Sequence, residues 1–122
     1  MWSKCTSTPL PEGIAVALKQ QAAFAWPNEC VGFIVQTDLQ WFVMPLPAQS
    51  GPQHVFVEPS TLLCAAEALD DGNVQVVAVY HSHPDGHSSL SAADHQFSAW
   101  ARTHFLLVRV NEAWHIQMFR WS

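Results

Sequence analysis

Apolar residues recur at helical spacing at Ile14, Ala17, Leu18, Ala22 and Ala25, behind Pro11-Glu12 and ahead of Pro27. Proline suits a first helical turn, and the residue before a proline resists the helical conformation. The pattern therefore predicts one helix that stops before Pro27. Met1 to Leu10 shows no period and reads as an irregular lead-in. Beyond Pro27 the period shortens. Gly32 to Thr37 and Gln40 to Met44 read as a hairpin turning at Asp38-Leu39. Pro45 to Gln53, rich in proline and holding Ser50-Gly51, is predicted as a loop, and His54 to Val57 as a short strand. A second helix starts at Glu58-Pro59-Ser60, with Leu62, Leu63, Ala66 and Leu69 as its buried stripe. A glycine stop ends it at Asp70-Asp71-Gly72-Asn73.

Val74 to Tyr80 is apolar at nearly every position, as expected of a central strand covered on both faces. Asp85 to Leu90 is a polar loop. Ser91 to Arg102 is predicted as a third helix, with Ala93, Phe97, Trp100 and Ala101 facing the core and Asp94 at the edge of that stripe. Thr103 to Val110 reads as another buried strand. After a turn at Asn111-Glu112, Ala113 to Phe119 alternates, with Trp114, Ile116 and Met118 on one side and His115 and Gln117 on the other. The order α, β-hairpin, β, α, β, α, β, β predicts an α/β fold, one domain over residues 1–122, with helices flanking a mixed central sheet.

Hydrophobic residues make up 49% of the chain and charged residues 12%, enough for a real core and too few charges for a disordered chain. The net charge of -5, with Lys4, Lys19, Arg102, Arg109 and Arg120 scattered, argues against a nucleic-acid partner. No apolar run approaches the ~20 residues of a membrane span. Pro9, Pro11, Glu12 and Lys19 interrupt any signal-peptide core. Cys5, Cys30 and Cys64 are odd in number and form no C-x-x-C pair, which points to a reducing, cytoplasmic compartment. Cys30, beside Glu29, reads as a small buried hydrophobe rather than a nucleophile.

The chemistry gathers after the central strand. Residues two apart on a strand face the same way, so His81 and His83 share a side if the strand persists through them. Ser91 and Asp94, three apart at a helix start, can point at one spot. Two imidazoles and a carboxylate with a fourth position open is how a catalytic zinc site is built, and zinc so held lowers the pKa of a water towards ~7. The plainer readings are a polar cap for each histidine, and an N-cap serine with a first-turn acid for Ser91 and Asp94. Among the remaining histidines, His87 and His95 are expected to line the cleft or face solvent, and His54, His104 and His115 lie elsewhere in the chain.

His81-x-His83-Pro84 followed by Ser91-x-x-Asp94 resembles the signature of the JAMM (MPN-plus) metallopeptidases. Pro27-Asn28-Glu29-Cys30-Val31-Gly32-Phe33 looks like the upstream segment that carries that family's glutamate. The resemblance implies a cytidine-deaminase-like α/β fold. It also implies Zn2+ held by His81, His83 and Asp94, Glu29 as the acid–base residue, and Ser91 as a donor to the oxyanion. The family hydrolyses peptide or isopeptide bonds in protein substrates, often beside a ubiquitin-like modifier. The run His-Ser-His-Pro-Asp-Gly and the short chain look most like the bacterial and phage branch. That branch includes the N-terminal domain of lambda-like phage tail protein K, so sulfur-carrier or ubiquitin-like proteins and phage tail components are the expected partners. The competing expectation is a non-catalytic tail-assembly or protein-binding module with a structural metal site. A deaminase is disfavoured, because its His-x-Glu and Pro-Cys-x-x-Cys elements are absent.

Overall fold

A computed structural model describes residues 1–122. One sheet organises the chain, with strands in the order β1 (Trp2–Lys4), β8 (Ala113–Trp121), β7 (Thr103–Val110), β6 (Gln75–His83), β2 (Val31–Thr37) and β3 (Gln40–Pro45). Only β6 and β7 run parallel; every other neighbouring pair is antiparallel. The result is an α/β fold with a mixed central sheet flanked by helices. On one face lies α1 (Glu12–Ala25), which buries Ile14, Leu18 and Ala22, four residues apart, against Ile34, Ala78, Tyr80, Phe105 and Leu107. That spacing keeps the three on one stripe of the helix. The other face is covered by α2 (Pro59–Asp71) and a 3-10 helix, Ala93–Ala99, over Phe33, Val79, Leu106 and Val108. No helix is long and apolar enough to cross a membrane.

The hairpin β2–β3 turns at Asp38, whose φ of 53° is tolerated by a short polar side chain. The hairpin β7–β8 turns at Asn111 and Glu112, both with positive φ, as a tight two-residue turn demands. Gly32 is required where β2 crosses Tyr80, because a Cβ there would collide with the Tyr80 phenol and the Met44 carbonyl.

Several expectations change. Met1 to Leu10 is not wholly irregular: Trp2–Lys4 pairs with Phe119–Trp121 as an edge strand. Its partner lies at the far end of the chain, and three residues are too few to show a period. The loop predicted over Pro45 to Gln53 contains β4 (Gln49–Gly51), which pairs with β5 (His54–Phe56) in a two-stranded ribbon apart from the main sheet. In α2, Leu63 is 60% exposed, and the inner face is Leu62, Ala65 and Leu69, one position round from the predicted stripe. At the end of α2, Gly72 stays right-handed at φ −84, and Asn73 takes the left-handed conformation at φ 53. The third helix is shorter and tighter than expected. The bonds Asp94 N–H to Ser91 O, His95 N–H to Ala92 O and Trp100 N–H to Phe97 O all span three residues. Serine and aspartate side chains compete for backbone groups here, which disfavours a regular α-helix.

Candidate metal centre

β6 does not end at Tyr80. It continues through His81, Ser82 and His83, so strand alternation holds to its tip and both imidazoles face the side of the sheet that Val79 faces. His81 is fully buried and His83 nearly so. The antiparallel register sets Val31 opposite His81, which carries Glu29, two residues earlier, alongside His83. That junction is cross-linked. The Cys30 N–H donates to Ser82 Oγ at 2.8 Å, the Ser82 N–H donates to Cys30 O at 3.0 Å, and the Glu29 N–H donates to Gly51 O in the ribbon at 2.9 Å. Glu29, His81 and His83 are all buried, with ligand atoms within 4.8 Å of one another.

Asp94 enters from the 3-10 helix. The Ser91 N–H holds its Oδ2 at 2.8 Å. Oδ1 lies 3.2 Å from His81 Nε2, and Oδ2 lies 3.5 Å from His83 Nε2. The two Nε2 atoms are 2.9 Å apart. On the far side of its ring, His83 Nδ1–H donates to the His87 carbonyl at 2.7 Å. A carbonyl only accepts, so the proton of a neutral His83 sits on Nδ1 and its lone pair on Nε2 faces the cluster. His81 Nδ1 meets His104 Nε2 at 2.6 Å.

Ring nitrogens and carboxylates converging this closely need something positive among them, a proton in the metal-free protein or a metal ion in its place. Ligands on a tetrahedral zinc with bonds of ~2.0–2.1 Å stand about 3.3–3.4 Å apart. His81 Nε2 and Asp94 Oδ1, at 3.2 Å, stand close to that value, the two Nε2 atoms, at 2.9 Å, would part by about 0.4 Å to reach it, and imidazole with carboxylate suits zinc. The donor set therefore fits a metal ion. Two sets of three share the histidines, one completed by Asp94 and the other by Glu29.

The electrostatics separate the two acids. Burial, reinforced by the Asp94 and Asp85 charges and partly offset by His83, pushes the Glu29 carboxyl up to about 7. Burial also opposes ionisation of Asp94, but hydrogen bonds from His81, His83 and the Ser91 amide outweigh it and hold Asp94 well below the usual carboxylate range. Burial pulls His81 down. It pulls on His83 too, but there the Asp94 and His87 hydrogen bonds and the nearby carboxylates win, and His83 is raised.

Glu29, His83, Ser91 and Asp94 open onto a cleft of about 160 Å³, with Asp85 and His87 on its rim and Gln53, His54 and Val55 of the ribbon across it. All five residues singled out in the sequence (Glu29, His81, His83, Ser91 and Asp94) are thus brought to one place. His87 lines the cleft, while His95 is exposed beside Trp121. Local spacing predicts the short strand at His54 but not its pairing with Gln49–Gly51, and it marks no link between His104 and His81. The one local signal at His104 is a histidine immediately before the apolar run Phe105 to Val108.

Residues 11–121 match the family described as prokaryotic homologs of the JAB domain. The chain belongs to this family. A prokaryotic JAB domain thus carries the buried glutamate and two histidines that can hold a metal. No curated protein matches the chain. Among solved structures, this JAB domain is similar to a protein of Desulfitobacterium hafniense determined in solution. The two are 22% identical with a TM-score of 0.66, over 87% of this chain and 78% of that one, a likeness of fold.

Proposed function

We propose that this JAB domain is a zinc-dependent metallopeptidase of the JAMM type, hydrolysing a peptide or isopeptide bond in a protein substrate. The observation that carries the reading is the donor cluster. Two buried imidazoles with Nε2 atoms 2.9 Å apart meet the Asp94 carboxylate at 3.2 and 3.5 Å, with a second buried carboxylate, Glu29, beside them at the cleft. In this reading His81, His83 and Asp94 hold the ion. A zinc ion so held supplies Lewis acidity towards water and towards the scissile carbonyl.

Glu29 is the remaining carboxylate. Buried at the cleft beside the donor cluster, it can take a proton from water and return it to the leaving amine. Ser91 lies in the cleft wall with its hydroxyl free to donate towards a developing oxyanion. The ribbon residues Gln53 to Val55 line the same cleft. We assign a ubiquitin-like or sulfur-carrier protein, or a phage tail protein, as the substrate class. The resemblance to the bacterial and phage branch carries that assignment. Three free cysteines support a reducing, cytoplasmic setting.

The test is hydrolysis by the zinc-loaded protein of linear and isopeptide-linked peptides ending in a glycine tail, with Glu29→Gln alongside. Cleavage by wild type that falls about 10²–10⁴-fold in Glu29→Gln is the expected result. No cleavage by a protein that binds zinc would favour the binding or assembly module with a structural metal.

A further inference from the structure

Behind the cluster lies a residue that the proposed chemistry does not use. His104, on β7, is fully buried, and its ring sits edge-on to His81 with centroids 4.7 Å apart. Its Nε2 is 2.6 Å from His81 Nδ1, while its own Nδ1 is buried with no partner. Natural cores rarely keep such an atom, and an apolar side chain would fill the same space without it. The cost calls for a compensating role.

The surroundings suggest one. For His81 to offer Nε2 to a metal, its proton must sit on Nδ1, and His104 Nε2 is then the acceptor that holds it there. His104 accordingly carries its own proton on Nδ1. The other unpartnered buried polar atom of the protein is an acceptor, Gln117 Oε1. β7–β8 pairing sets His104 against Phe119 and Leu106 against Gln117, so Gln117 is the diagonal neighbour of His104 on the next strand. It shares the face of Phe119 and Leu106. Diagonal neighbours are within reach of long side chains. Trp2 closes the arrangement from the N-terminal strand. Its ring meets His104 edge-on at 5.2 Å, and its indole N–H donates to the Asp94 carbonyl at 3.2 Å.

We propose that His104 is a positioning residue of the metal centre. It fixes the His81 ring and its tautomer from behind, with Trp2 tying His104 to the segment that carries Asp94. The proposal rests on the metal-binding reading above.

The experiment compares His104→Gln with His104→Met by zinc affinity, measured by chelator competition, with circular dichroism of the metal-free proteins as the folding control. Gln and Met match in length, but only Gln places an acceptor where Nε2 was. A packing role ranks Met above Gln, because Met suits an apolar core. A positioning role ranks Gln above Met. We expect Met to weaken zinc binding about 10–100-fold and Gln to restore most of that loss. Equal affinities, or Met above Gln, would overturn the proposal. Should Met leave the metal-free protein unfolded, His104→Phe replaces it, with the same ranking expected. A wild type that takes up no zinc would remove the metal reading itself, whereas tight wild-type binding with no loss in Met removes the His104 role alone.

Discussion

Val31 lies opposite His81 across β2 and β6, and this register sets Glu29 beside His83. Two stretches some fifty residues apart thereby meet at one strand end, and the turn that carries Ser91 and Asp94 completes the site. The divergent pKa shifts of the two acids follow from where each sits. Asp94 is gripped by two imidazoles and an amide, while Glu29 has burial without such partners.

That difference has a consequence for stability in the metal-free protein. Glu29 titrates near 7 when folded and near 4.5 when not, so the folded state binds its proton more tightly. The stabilisation from that proton is fully present below about pH 4.5 and is lost as pH rises through about 7. Melting temperatures of wild type and Glu29→Gln, taken without metal from pH 4.5 to 8, should show wild type losing ground to the variant as pH rises. A constant difference across that range would show that Glu29 is not perturbed.

Ser91 and Asp94 are linked through the backbone as well as the side chain. The group that holds Asp94 Oδ2 is the Ser91 amide, which alanine keeps, whereas the contact to Ser91 Oγ is long at 3.4 Å. Ser91→Ala should therefore leave zinc affinity unchanged while lowering kcat on the order of 100-fold, the usual cost of an oxyanion donor. Steady-state kinetics beside chelator competition separates the two effects.

How much of this was legible follows from what each residue reports about itself. The apolar run Val74 to Tyr80, the helical spacing of Ile14, Leu18 and Ala22, and the run Thr103 to Val110 carry their own periods, and they form elements close to the positions read from them. The positions of His81, His83, Ser91 and Asp94 are set by local spacing along one strand and one turn. Glu29 is not, and only the long-range register brings it in. Trp2 and His104 take their places beside His81 and Asp94 from contacts between distant strands, which local spacing does not encode. Leu63 shows the limit of a helical stripe: one position of rotation exposes it and buries Ala65 instead.

Phe97 is 1% exposed and packs against both His81 and His104, with ring centroids 5.1 and 5.3 Å away. Phe97→Ala should cost about 3–5 kcal/mol of stability by leaving a cavity beside the His81 and His104 imidazoles. Leu63→Ala, on the outer face of α2, should change it by no more than about 0.5 kcal/mol. Urea unfolding of the two variants checks both figures.

His87 reaches the centre through its backbone carbonyl, which holds His83, while its side chain lies at the cleft rim. His87→Ala should keep the metal and kcat but raise KM for a peptide substrate several-fold. Unchanged peptide kinetics would remove His87 from the substrate contacts.

The most direct measurement is the metal content of the purified protein, wild type beside Asp94→Ala, by elemental analysis after zinc is offered at neutral pH. The geometry of His81, His83 and Asp94 leads us to expect about one zinc per wild-type chain and a clear loss in the variant. A wild type that holds no zinc, or a variant that holds as much as wild type, would contradict the assignment of these three residues as the metal's ligands.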